Sequence, residues 1–96
     1  MTRKEMIDYI NNMNISIVLI YDMKKYTNRF FDKYFELADL YKEGSYYNSQ
    51  IDDFRVCYIE FSTYLYALCR AGILHGNDFQ KLEEIIWTMY VSMEDK

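Results

Sequence analysis

Residues 19–41 read LIYDMKKYTNRFFDKYFELADLY. Within them Leu19, Met23, Tyr26, Phe30, Tyr34, Leu37 and Tyr41 recur at spacings of three and four. That is the period of a helix with one apolar stripe, whereas a strand would alternate every second residue. The chain has 96 residues and no Pro, so nothing built into the backbone interrupts a long helix. The segment just before, Ile15–Tyr21, is open to two readings. Its β-branched residues suit a strand, yet no second segment offers a strand to pair with it. The helical reading therefore extends back, and a long helix is expected over about 15–43, stopped by Gly44.

Working outward, Thr2 with Glu5 three residues on has the form of a capping box. Met6, Ile7, Ile10 and Met13 follow at helical spacing, so a first helix is expected over about 3–12. Asn11, Asn12 and Asn14 then mark a kink or turn. On the other side, Gly44–Gln50 reads as a loop around Tyr46 and Tyr47. Ser49 and Asp52 look like a cap and its third-position acid. A third helix runs to about Ala71, with Ile51, Phe54, Tyr58, Phe61, Leu65 and Leu68 on one face. Cys57, Tyr64, Ala67 and Ala71 extend its apolar surface to a second face. Gly72 followed by Ile73 and Leu74 reads as a left-handed helix end with an apolar clasp. His75 or Asn77 then caps a fourth helix whose core face is Phe79, Leu82, Ile85, Ile86, Met89, Tyr90 and Met93.

The expected fold is all-α, a small bundle of about four helices forming a single domain over 1–96, with one long second helix. At about 29 residues that helix would span roughly 43 Å, against roughly 33 and 25 Å for the third and fourth. Either the stretch from Asn14 to Tyr21 bends, or a second copy covers the remainder. A homodimer is expected on that ground, and because a short chain that is 51% apolar has more large apolar groups than it can bury alone.

Net charge is −4, which argues against general affinity for nucleic acid. The charge is uneven. Residues 1–33 carry 6 basic and 4 acidic groups (+2), and residues 34–96 carry 5 basic and 11 acidic (−6). Cys57 and Cys69 fall in one helix about 18 Å apart, beyond disulfide reach. Free, reduced thiols fit a cytoplasmic setting. No His or Cys neighbour completes a metal site, and no cofactor is expected. The longest apolar run, Ile15–Tyr21, is far too short to span a bilayer, so no membrane role is expected, and nothing reads as a targeting leader.

Four local features carry chemistry. Arg70 followed four intervening residues later by His75 resembles the motif of the HEPN ribonucleases, small helical bundles that pair to form an active site. The resemblance implies an Arg that holds phosphate and a His that moves a proton. That family often places Asn, Asp or His directly after the Arg, where this chain has Ala71. The residues themselves also read structurally, with Arg70 meeting the dipole at a helix end and His75 capping a helix start. On that structural reading no catalytic residue is assigned, and the chain is expected not to be an enzyme. Lys24, Lys25, Arg29 and Lys33, interleaved with Tyr26, Phe30, Phe31 and Tyr34, could track a single strand of nucleic acid. Asp22, Asp32 and Glu36 nearby favour a solvated face with local ion pairs. The acidic groups Glu36, Asp39, Glu43, Glu83, Glu84, Glu94 and Asp95 read as solvated helix faces.

The fourth feature is the pair Tyr46-Tyr47. Helical periodicity does not require it, and Tyr gives large contact area with few rotatable bonds. Tyr46 and Tyr47, with Asp52 and Asp53 beside them, are the expected partner-binding residues. The functional expectation is a non-enzymatic module that binds another protein. Its general character is similar to that of phage or mobile-element inhibitors, including anti-CRISPR proteins, which occlude a host protein. Bacteriocin immunity proteins are a close rival within the binding class, and the HEPN-like ribonuclease is the enzymatic alternative.

Overall fold

A computed structural model describes residues 2–45 and 48–94. They form α1 (Arg3–Asn11), α2 (Ile17–Glu43), α3 (Asn48–Arg70) and α4 (Gly76–Glu94), and no strand occurs among them. The all-α bundle with a long second helix is thus the observed fold. Ile15–Tyr21 is not a strand. Ser16 caps α2 by accepting the Val18 N–H through its hydroxyl, and the helix starts at Ile17.

The ends of the helices follow from their sequence. Thr2 Oγ1 accepts the Glu5 N–H at 3.2 Å, and the Glu5 carboxylate accepts the Thr2 N–H at 3.3 Å, which completes the expected capping box. Gly44 closes α2 at φ +69°. Gly72 sits at φ +75° after α3, and the Ile73 and Leu74 N–H groups both return to the Leu68 carbonyl. Leu74 is buried by that turn while Ile73 is left outside. The expected Ser49 cap is corrected: α3 begins at Asn48, which places Ser49 inside its first turn.

Neighbouring helices run antiparallel. Arg3 of α1 pairs with Asp32 of α2 at 2.8 Å, and Tyr9 hydrogen-bonds Asp78 at the start of α4. From α2 to α3, Tyr26 stacks on Tyr64 at 4.6 Å and Arg29 pairs with Glu60 at 2.7 Å. From α3 to α4, Arg55 meets Glu94, Tyr58 stacks on Tyr90 at 4.4 Å, and Ser62 reaches Glu83. One core joins all four helices: Met6 and Ile10, Met23, Phe30 and Leu37, Phe54, Phe61 and Leu65, Leu82 and Ile86 are all buried. Thr27 is a buried polar group, and its hydroxyl is satisfied by the Met23 carbonyl at 2.8 Å. Ala67 and Ala71, expected on a second apolar face of α3, are exposed. A methyl group adds too little area to draw a helix face inward.

Candidate protein-interaction surfaces

The long second helix leaves its first turns uncovered. Ile17 is 79% exposed, Val18 63% and Tyr21 60%, and the first fully buried side chain of α2 is Met23. The α2–α3 register explains why. Continued from Arg29/Glu60 through Tyr26/Tyr64, it brings Ile17 level with the Gly72–Ile73 turn, where α3 has ended. α3 therefore leaves Ile17 and Val18 without a flanking helix, whereas Tyr21 lies level with the last turn of α3 and is exposed on the outer side of α2. Leu19 and Ile20 between them still pack against the core. Ile73, also exposed, belongs to the same end of the bundle. The Lys25 ammonium lies 5.4 Å from the Tyr21 ring centre and borders this apolar end with charge.

A second surface runs along the outer face of α3. Phe54, Cys57, Phe61, Leu65 and Leu68 point inward. On the opposite face Asp52, Val56, Ile59, Thr63, Tyr66 and Arg70 are all exposed. Across the seam on α4, Trp87 is half-exposed, 6.0 Å from the Tyr58 ring. One turn earlier on α4, Glu83 Oε1 accepts hydrogen bonds from the Tyr58 hydroxyl at 2.9 Å and the Ser62 hydroxyl at 3.1 Å. Burial and this carboxylate push the Tyr58 phenol up to about 12.

The third feature is an open groove of about 840 Å³ between α2 and α3. Lys25, Arg29 and Lys33 face it, but so do Asp32, Glu36 and Glu60. Arg29 is held by Glu60, and Lys33 lies 3.6 Å from Glu36. Arg29 and Lys33 are therefore paired with their own neighbours, which weakens the field a phosphate backbone would meet. The buried Tyr64 hydroxyl lines the groove without a hydrogen-bond partner among the described residues, and desolvation raises its pKa.

Of the partner-binding residues expected from the sequence, Tyr46 and Tyr47 lie outside the described residues. Asp52 and Asp53 are exposed on the first turns of α3, and Asp52 approaches Arg55 at 3.3 Å. Arg70 and His75 have separate partners. The Arg70 guanidinium lies 6.0 Å from the Tyr66 ring centre, and His75 Nδ1 accepts the Asn77 N–H at the start of α4. Among the described residues, no group of three or more His, Cys, Asp or Glu side chains could hold a metal ion. Among the same residues, no helix is long and apolar enough to cross a membrane.

Sequence reasoning passed over Ile17, Val18, Val56, Ile59, Tyr66 and Trp87. Two signals were present. Ile17 and Val18 are consecutive, and one narrow helix stripe cannot take both. Val56, Ile59 and Tyr66 keep helical spacing but fall off the stripe that Phe54, Phe61 and Leu65 define. In comparisons with protein-family models, with curated proteins and with solved structures, nothing matches this chain.

Proposed function

We propose that this chain acts by binding another protein, as a small inhibitor or adaptor that covers a surface on its partner. The observation that carries this reading is the apolar end of the bundle. Among the described residues Ile17, Val18 and Tyr21 are the most exposed of the large apolar side chains, and the three share one helix end. Large apolar side chains gathered at one spot mark docking sites, whereas isolated ones need no explanation. Tyr21 supplies an aromatic anchor, and the adjacent Lys25 supplies a charged rim. The inhibitory mode of phage and mobile-element proteins, occlusion without chemistry, suits such a surface.

The test compares the tagged chain with an Ile17→Ser, Val18→Ser, Tyr21→Ser variant for capture of proteins from host lysate. Affinity for a captured protein is then measured with purified components. The variant should keep the helical circular dichroism of the parent and lose about thirtyfold or more in affinity, on the order of 2 kcal/mol. Equal affinity would sink this assignment. Affinity lost instead in a Tyr46→Ala, Tyr47→Ala variant would move the contact to that loop.

A further inference from the structure

The outer face of α3 carries a stripe that is complementary to itself. Asp52, Val56, Ile59, Thr63, Tyr66 and Arg70 follow one another at spacings of four, three, four, three and four. That alternation is the seam of a two-stranded helical pair, sustained over about 27 Å of helix. All six side chains are exposed, including Val56 at 46%, Ile59 at 59% and Tyr66 at 54%. α3 packs its opposite face into its own bundle, so this face is free for another helix.

The stripe also reads in reverse. An antiparallel copy turned about an axis between Ile59 and Thr63 sets Val56 against Tyr66, Ile59 against Thr63, and Asp52 against Arg70. Each contact then occurs twice, as a two-fold interface requires. The termini of the stripe carry opposite charges. Parallel pairing would bring Asp52 onto Asp52 and Arg70 onto Arg70, so charge selects the antiparallel arrangement. Both groups are available for it. Arg70 has no ion pair among the described residues. Asp52 is the weaker partner of Arg55, which holds Glu94 through two hydrogen bonds at 2.7 and 3.1 Å. Glu60, which flanks the axis, is already neutralised by Arg29.

We infer that the protein forms a two-fold homodimer through antiparallel pairing of α3, with the Val56–Ile59–Thr63–Tyr66 stripe as its seam and reciprocal Asp52–Arg70 pairs at its two ends. This inference does not depend on the apolar end of the bundle or on any partner protein. A single helix–helix seam falls at the small end of specific interfaces, below about 1,200 Å² in total, the class of weak and transient association.

Sedimentation equilibrium over ~1 μM to ~1 mM measures it directly. The parent chain should dimerise reversibly within that range, and Ile59→Asp should be monomeric with unchanged circular dichroism. Asp52→Arg and Arg70→Asp alone should each weaken the dimer, by roughly tenfold, because each turns two attractive pairs into two repulsive ones. The double exchange Asp52→Arg, Arg70→Asp should restore it, since the opposite charges again face each other across the axis. That rescue distinguishes antiparallel pairing from any other dimer, and it does not depend on how Ile59→Asp behaves. A parent chain monomeric up to ~1 mM overturns the inference. So does a dimer that survives Ile59→Asp, or a double exchange no tighter than the single ones.

Discussion

Phe30 is fully buried, with the Phe54 ring centre at 5.2 Å and that of Phe61 at 6.4 Å. Phe30→Ala should therefore cost about 3–5 kcal/mol, through lost transfer energy and the cavity left behind. Chemical denaturation of Phe30→Ala beside Val56→Ala checks this. Val56 is exposed, and its truncation should change the stability of the monomer by about 0.5 kcal/mol or less. Equal losses would mean that the outer face of α3 packs as firmly as the core. At this scale the sequence was legible wherever a residue sits on the main stripe of its helix, as Met23, Phe30 and Leu37 do. For Ile17 and Val18 the sequence said only that one narrow stripe cannot hold both, not what would be left outside. Periodicity shows which face of a helix is apolar, but not how far the neighbouring helices extend to cover it.

Between elements, the contacts of α4 with α3 and α1 store a pH response. Tyr58 is raised to about 12 by burial and by Glu83, and Tyr9 to about 12 chiefly by its hydrogen bond to Asp78. Both phenols are favoured in the neutral form when folded. Their contribution is complete below the ordinary tyrosine value of about 10 and is lost as pH rises from there toward about 12, because the unfolded chain ionises first. Stability should therefore fall over that alkaline window, and Tyr58→Phe should flatten the fall. Thermal melts from pH ~9 to ~12, with phenolate absorbance followed in parallel, measure both effects. A Tyr58→Phe chain that loses stability as steeply as the parent would show that Tyr58 does not contribute. The acid side runs oppositely. Arg55 holds Glu94 below the usual carboxylate range, so that contribution is present near neutrality and fades as pH falls through the lowered value. Sequence located these elements closely because their caps are local chemistry: Thr2 with Glu5, Gly44, and the Gly72 turn. Tyr58 with Glu83 and Arg55 with Glu94 join residues 25 and 39 positions apart, and no local pattern announces such pairs.

For the whole molecule, the two surfaces have a joint consequence. The bundle is elongated, 43 × 23 × 20 Å, and its apolar end lies beside the C-terminal end of α3. Antiparallel pairing of α3 points these two C-termini in opposite directions. A dimer would then present two apolar ends, roughly 36 Å apart when counted along the helices from the axis to Ile73. Such a dimer would carry two sites for the partner. On a surface bearing clustered partner, the second contact becomes intramolecular and dissociation slows by at least ~10-fold. Ile59→Asp removes the pairing but leaves Ile17, Val18 and Tyr21 in place. It should bind free partner in solution with the affinity of a single parental site, while leaving the clustered surface at the fast, one-site rate. The Ile17→Ser, Val18→Ser, Tyr21→Ser variant should lose both readouts. Surface plasmon resonance at high and low partner density, beside calorimetry in solution, separates the cases. If Ile59→Asp weakens solution binding as much as surface binding, the outer face of α3 touches the partner itself, and the division of labour between the two surfaces is wrong.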